Sequence, residues 1–329
     1  MSDNADSAHP SFIERGGTVG VFGATSLVGA CLLPLLSAEG WQITAFSRQT
    51  IGTLDGGVEW QQLPLNKSSS SQSSDKCTSH STEPFKDNSQ VPGYSQKGEG
   101  VIPQWIFVTP IWVVPDYFDL LEAQNAQRVV VLSSTSRFTK DDSTDPEEQA
   151  MALRLVNAEA RVREWAESRG VEWVILRPTL IYGLGKDKNI AEIARFIRRF
   201  GFFPLFGKAN GLRQPIHATD VANACLTALQ AIGVTNRTYN ISGGETLAYR
   251  DMIARVFSAL GRRPRLLTVP LWAFRLAVSI LRCLPRYRKW SAAMAERMNR
   301  DMVFDQVEVV RDLDFKPRAF MLSAEDLLI

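Results

Sequence analysis

The chain has little of what would point to a metal centre, a disulfide framework or a nucleic-acid partner. Its four cysteines, Cys31, Cys77, Cys225 and Cys283, are scattered and form no CxxC pair, so they read as free or buried thiols in a reducing compartment. No metal site is expected, and a cytoplasmic location is. An excess of one charge sign is missing too: 37 Lys and Arg stand against 35 Asp and Glu, which leaves no global case for nucleic-acid binding. No apolar run free of charge is long enough for a spanning helix. The first 16 residues carry no apolar core of the kind a signal peptide needs, and they read as a disordered lead-in.

What is present is an ordinary globular composition, 45% hydrophobic and 22% charged over 329 residues. That length accommodates a nucleotide domain with a smaller one appended. The organising stretch is Thr18 to Leu36, TVGVFGATSLVGACLLPLL. Val19, Val21 and Phe22 read as a buried strand, Gly23, Ala24, Thr25 and Ser26 as a turn, and Leu27, Val28, Cys31, Leu32, Leu35 and Leu36 recur at helical spacing. A strand, a tight turn and a helix N-terminus present free backbone N–H groups to an anion, so a dinucleotide pyrophosphate is the expected ligand. Gly23 permits the turn and Gly29 lets the helix lie close to the sheet. Ser26 holds the middle position of the glycine pattern, where its hydroxyl is itself a possible phosphate donor.

Further strands are expected over 41–46, 58–63, 105–109, 128–133 and 171–176, with helices over 116–126 and 145–169 between them. This alternation predicts an α/β, Rossmann-type doubly wound parallel sheet over 17–183. Arg48 follows the second strand, where an acidic residue would read the 2′-hydroxyl of NAD; an arginine there favours NADP, with NAD as the alternative. Residues 66–100 turn to Ser, Lys, Gln, Asp and Gly, and read as a flexible surface insertion. Ligands of such sheets sit beyond the carboxyl ends of the strands, which selects Thr109, Ser133 to Ser136 and Arg177 to Gly183, Pro178 among them, as the rim. The chain from 184 to 329 reads as a smaller α/β substrate domain interleaved with the first, with a small-molecule substrate in the cleft between them.

With these elements in place, the chain resembles the extended and atypical short-chain dehydrogenase/reductase superfamily, the group of NAD-dependent epimerases and dehydratases. The resemblance rests on GATSLVG at 23–29, LSSTSRF at 132–138, LRPTLIYG at 176–183, RQPIHATDVANA at 213–224 and YNISGGE at 239–245. It implies a Rossmann fold, a nicotinamide cofactor and a C-terminal domain that often accepts nucleotide-activated sugars. It also implies a Ser or Thr after the fifth strand and a Tyr-x-x-x-Lys on the next helix, since a tyrosine must exchange a proton and a lysine must lower its pKa. Ser134 matches the hydroxyl. Aligning AEA at 158–160 with the run after the lysine puts Leu153 at the Tyr position and Asn157 at the Lys position, and leucine cannot transfer a proton.

Lys140 and Tyr182 are the substitutes to weigh for the missing proton carrier, with a packed aromatic the alternative role for Tyr182 and a solvated loop lysine that for Lys140. Lys186, Lys188 and Arg213 stand where an anionic substrate group would be held, and His217, just before a helix N-cap at Thr219 and Asp220, reads as a structural or substrate-contacting residue. The segment 271–290, LWAFRLAVSILRCLPRYRKW, mixes Trp, Phe and Leu with Arg and Lys, which allows peripheral contact with an anionic membrane. A homodimer is compatible with the superfamily. Two functions follow: an NAD(P)-dependent epimerase- or dehydratase-like oxidoreductase, or a dinucleotide-binding sensor or assembly protein that lacks the Tyr-x-x-x-Lys pair.

Overall fold

The computed structural model describes residues 16–47, 57–63, 101–141, 143, 145–272 and 292–327. Arg48, the Ser-rich stretch 66–100, nearly all of 271–290, Cys77 and Cys283 lie outside the described residues.

In chain order the strands are β1 (Thr18–Phe22), β2 (Gln42–Ser47), β3 (Val58–Gln62), β4 (Gln104–Phe107), β5 (Arg128–Leu132), β6 (Glu172–Pro178) and β7 (Ile181–Tyr182). There follow β8 (Phe203–Phe206), β9 (Leu212–Arg213), β10 (Ile216–His217), β11 (Arg237–Ile241), β12 (Leu247–Ala248) and β13 (Leu266–Val269). Seven of them make one sheet in the order β11-β6-β5-β4-β1-β2-β3, parallel at every pairing. The order reverses at β1, and this is the doubly wound α/β fold that the alternation of elements predicts.

Side chains alternate between the two faces of the sheet, as a strand period of two requires. Val19, Val21, Ile106, Val130, Val174 and Leu176 pack with α1 (Leu27–Ala38) and α6 (Ala218–Gln230) on one face. On the other, Phe22, Trp105, Phe107, Val129, Val131, Trp173 and Ile175 pack with α4 (Pro146–Arg169) and a 3-10 turn at Ile111–Tyr117. Phe22 stacks between Phe46 and Phe107 with centroids 4.7 and 4.6 Å away, which makes this second layer the aromatic one. α4 shows why its segment is helical: Asp145 accepts from the Glu147 amide at 3.0 Å, Pro146 opens the first turn and Gly170, at φ 66°, ends the last.

The second unit has its own core, Tyr182, Ile190, Ile197, Leu205, Met252, Val256, Phe257 and Phe320 among its members. It is built from α5 (Ile190–Phe200), α7 (Tyr249–Ala259) and three two-stranded sheets, β10-β7, β12-β9 and β13-β8. The chain beyond 183 is shared between the two units: α6 lies on α1, and β11 pairs with β6 at the sheet edge. Two further helices, α8 (Ala292–Arg297) and α9 (Val307–Leu313), follow; Val309 and Leu313 of α9 join the core of the first face.

Candidate functional site

Two rims meet above the carboxyl ends of the sheet strands. The first is the turn from β1 into α1. Gly23 sits at φ +80°, and a Cβ there would lie 2.8 Å from the Thr109 Cγ2 that follows β4, so Gly23 and Thr109 are in direct contact. A Cβ on Gly29 would come within 2.4 Å of the Gly23 carbonyl oxygen and 2.5 Å of the Ala24 oxygen, so only glycine lets α1 start this close to the turn. Ser26 is the N-cap: its hydroxyl oxygen accepts from the Gly29 amide at 3.1 Å and lies 3.5 Å from the Val108 carbonyl. Its carbonyl accepts from Ala30 at 2.9 Å. The amides of Leu27 and Val28 are thereby left for an anion at the positive end of the helix dipole. Thr25 is exposed, Ala24 is buried, and the Thr109 hydroxyl is buried with no hydrogen-bond partner among the described residues. Free first-turn amides, an orphan hydroxyl at the next strand end and a glycine-tight helix approach fit a dinucleotide phosphate.

The second rim surrounds a cavity of about 520 Å³. Ser134, Thr135, Ser136 and Lys140 come from the end of β5 and from α3 (Ser136–Thr139). Thr179 and Leu180 follow β6, Ile181 opens β7, Arg213 ends β9 and Gln214 follows it, Tyr249 comes from α7, and Arg297, Met298, Met302 and Phe304 come from α8 and the chain after it. Ser134 Oγ accepts from the Ser136 amide at 3.1 Å, while Pro178, buried, accepts from both the amide and the hydroxyl of Thr135 at 3.2 and 3.1 Å. These bonds fix the spacing between the ends of β5 and β6. Burial and the neighbouring Arg297 charge lower the Lys140 pKa, which eases release of its proton. Burial pushes the Tyr249 phenol up to about 12, so it enters the cavity as a donor.

Beneath this rim Glu159, 2% exposed, gathers three partners. The Ser133 hydroxyl donates to it at 2.5 Å, Arg177 donates through two nitrogens at 2.9 and 2.5 Å, and Arg137 pairs with the same carboxylate. Burial alone would raise the carboxyl; the hydrogen bonds from Arg177 and Ser133 and the two arginine charges outweigh it and hold Glu159 below its usual range. Ser133 is therefore committed to positioning this carboxylate. A related cluster locks the second unit: Asp326 accepts from the Leu184 amide at 3.2 Å and from Ser323, and contacts His217 Nε2 at 3.0 Å.

Several sequence-predicted site residues stand elsewhere. His217 is buried, with Nδ1 accepting from the Thr219 amide at 3.1 Å as the N-cap of α6 and Nε2 on Asp326; both nitrogens are occupied within the chain, so it is a structural residue and not a substrate contact. Tyr182 is fully buried, donates to the Met321 carbonyl at 3.2 Å and packs edge-on against His217 and Phe320; with its pKa pushed up to about 12 by burial first and the Asp326 charge second, it serves as a core aromatic and not as a proton carrier. Lys186 and Lys188 are exposed and do not line the cavity. Leu153, 60% exposed, and Asn157 lie on the solvent side of α4, and no α4 residue lines the cavity. Arg213 does line it, but its guanidinium donates to the carbonyls of Leu212 and Arg300 at 2.7 and 2.8 Å and to that of Arg297. It shapes the wall more than it offers a free charge. Sequence reasoning missed Tyr249, Gln214, Arg297 and Glu159. Gln214 stands inside the RQPIH motif and Glu159 inside AEA, where a polar residue on a buried helix face was the available signal; Tyr249 and Arg297 carried none.

Residues 116–242 match the model of the NAD dependent epimerase/dehydratase family. Over that stretch the chain is similar to the family, and its fold is shared with solved structures of UDP-sugar 4-epimerases. Among solved structures, MoeE5 in complex with UDP-glucuronic acid and NAD superposes with a TM-score of 0.63 over 92% of this chain and 95% of that one, at 17% identity. Among proteins of similar sequence, a UDP-glucose 4-epimerase from Vibrio cholerae is 24% identical over 139 residues, 42% of either chain. The mitochondrial NADH dehydrogenase [ubiquinone] 1 alpha subcomplex subunit 9 of Arabidopsis thaliana is 26% identical over 118 residues, 36% of this chain and 29% of its own. The matched stretches thus span less than half the length of these two relatives. The structural likeness shows the fold, while the family match begins after Thr109 and so leaves out the first rim.

Proposed function

We propose that the chain binds a nicotinamide dinucleotide on the first rim and carries out an epimerase- or dehydratase-like oxidoreduction of a nucleotide-sugar or similar hydroxylated substrate in the 520 Å³ cavity. The observation that carries this reading is the pairing of Ser134 with Lys140 in one cavity wall, next to the strand ends. A bound nicotinamide would supply the hydride acceptor or donor. The Ser134 hydroxyl orients the substrate oxygen, and Lys140, in its neutral form, takes the hydroxyl proton as the carbinol carbon is oxidised. The Tyr249 phenol, kept protonated, donates to a substrate oxygen at the far wall. Arg48, by its place after β2 in the sequence, supports NADP over NAD. Two of the similar proteins above, a UDP-glucose 4-epimerase and MoeE5 in complex with UDP-glucuronic acid and NAD, support the substrate class.

A second reading is favoured by α4, which offers the cavity no side chain, and by the likeness to a subunit of a respiratory complex. In it the chain holds dinucleotide at micromolar affinity or tighter and transfers no hydride. Calorimetry with NADPH, NADH, NADP and NAD, alongside turnover of carbonyl and UDP-sugar substrates, separates the two. The first reading expects turnover that Lys140→Met lowers by roughly 10²–10⁴ with dinucleotide affinity unchanged. It also expects a rate that rises with pH through an apparent pKa below that of an ordinary lysine. Binding without turnover across the screen selects the second reading, and equal affinity for NADH and NADPH, unaltered by Arg48→Ala, overturns the NADP assignment.

A further inference from the structure

The second unit carries a surface that neither rim uses. At the end of α5, Phe200 and Phe202 are 51% and 36% exposed, and Arg195, Arg198 and Arg199 are exposed beside them. β13 runs parallel to β8 with Leu266 opposite Phe203, so Arg263, Arg265 and Leu267 of the second segment lie alongside the first. The two are fastened together: the Phe203 amide donates to the Arg265 carbonyl at 2.9 Å, and Arg262 donates to the carbonyls of Ile197 and Arg198 at 2.8 and 3.2 Å. Leu267 is 55% exposed, and Trp272, just past the end of β13, is 71% exposed. The aromatic rings form a cluster, Phe196 to Phe200 at 4.6 Å and Phe196 to Phe202 at 5.9 Å, with the Arg199 guanidinium 5.3 Å from the Phe200 ring.

The charges here are of one sign. No Asp or Glu occurs in residues 193–209 or 252–295, and none of Arg195, Arg198, Arg199, Arg263 and Arg265 makes an ion pair among the described residues. In a molecule whose formal charge is only +2, this is a local segregation of cations around exposed aromatic rings. Protein interfaces share the taste for aromatics and arginine, but they exclude charge from their centres. A strip in which unpaired arginines alternate with Phe, Leu and Trp suits a partner that offers anions everywhere and an apolar layer just beneath them. Arginine stems lie along apolar surface while the heads stay at phosphate level, and Trp and Phe enter the interface.

We infer that the strip formed by the end of α5 and by β13 docks the chain on an anionic phospholipid bilayer. The test is co-sedimentation of the full chain with vesicles of phosphatidylcholine alone or mixed with phosphatidylglycerol, over a range of salt, with sedimentation velocity on the free protein. Binding is expected on the mixed vesicles only and is expected to fall as salt rises. Arg198→Gln with Arg199→Gln should weaken it about 25-fold, about fivefold for each charge removed. Phe200→Ser with Leu267→Ser should weaken it further in the salt-resistant part, and thermal unfolding of the free variants should match the parent. No sedimentation at low salt, equal partition onto neutral vesicles, or full binding by correctly folded variants overturns the proposal. So does a salt-sensitive dimer that the same substitutions dissolve, because the strip would then be an interface between copies of this chain. Should the variants fail to fold, the salt and lipid dependence of the unaltered chain decides alone.

Discussion

The two rims are built on opposite plans. The first rim, proposed to hold the dinucleotide, is contiguous: within Thr18 to Ala38 one strand, one tight turn and one helix supply the amides, the cap and the glycines, and Thr109 joins them from the end of β4. The cavity rim is a convergence of segments as far apart as Ser134 and Phe304, fixed from below by a buried carboxylate and closed from above by the chain's C-terminal part. A contiguous rim is set by local rules of turn and helix. A convergent rim depends on long-range partners, so its stability and its chemistry are open to substitutions far from the cavity itself.

The sharpest way to break the convergent rim is to take the charge from Glu159. Glu159→Gln leaves Arg137 and Arg177, 21% and 16% exposed, facing an amide beneath the Ser133–Lys140 segment. Losing one partner of a buried ion pair costs about 3–5 kcal/mol. Chemical denaturation should show that loss, and turnover or substrate affinity should fall with it, while dinucleotide affinity, set by the other rim, stays within about twofold of the parent. An equal loss at both rims would mean that they are one cooperative structure and not two independently built ones.

Acid is a milder way to the same place. The folded pKa values of Glu159 and Asp326 lie below their unfolded values, despite burial, because of the hydrogen bonds that each accepts. A depressed carboxylate contributes stability that is fully present above its unfolded pKa and is lost as pH falls towards the folded one. Stability should therefore hold down to about pH 5 and decline below about pH 4, and Glu159→Gln should flatten that decline.

How much of this was legible beforehand follows the same division. The strand-turn-helix of residues 18–38 was readable because Gly23, Ser26 and Gly29 each answer a local need, and α4 because Asp145, Pro146 and Gly170 mark both its ends. The pairing of β11 with β6 was not readable, since its register is set by a neighbour more than sixty residues earlier. For Tyr182 and His217 the sequence left a packed or structural role open beside a place on the rim. Their places in the core became visible only with Asp326, Met321 and Phe320, which come from the last residues of the described chain.

Gly29→Ala tests the contiguous rim. Its Cβ would meet backbone atoms of Gly23 and Ala24 at 2.4–2.6 Å, and backbone cannot swing aside as a side chain can. Overpacking of this kind costs about 1–3 kcal/mol, offset by up to about 1 kcal/mol from the better helix propensity of alanine. The net change is then a loss of up to about 2 kcal/mol of stability, and the displaced helix start should lower dinucleotide affinity about tenfold or more. Titration calorimetry reads this directly, and cavity chemistry measured at saturating dinucleotide should be spared.

The smallest effect concerns Ser26, which occupies the middle position of the glycine pattern. Its hydroxyl oxygen is already turned onto the Gly29 amide and lies against the Val108 carbonyl, and its backbone is extended at φ −71°, ψ 169°, as an N-cap requires. Such a group acts within the turn and does not reach outward to a phosphate. Ser26→Gly should then lower stability by only a few tenths of a kcal/mol, the usual cost of a glycine N-cap. Dinucleotide affinity should stay level or tighten, because the amides of Leu27 and Val28 keep their places and a side chain has left the point of closest approach. A loss of about fivefold would instead show the hydroxyl donating to phosphate, worth about 1 kcal/mol as a hydrogen bond. The contiguous rim would then rely on a side chain as well as on backbone, and Ser26 would be a ligand-binding residue as well as a cap.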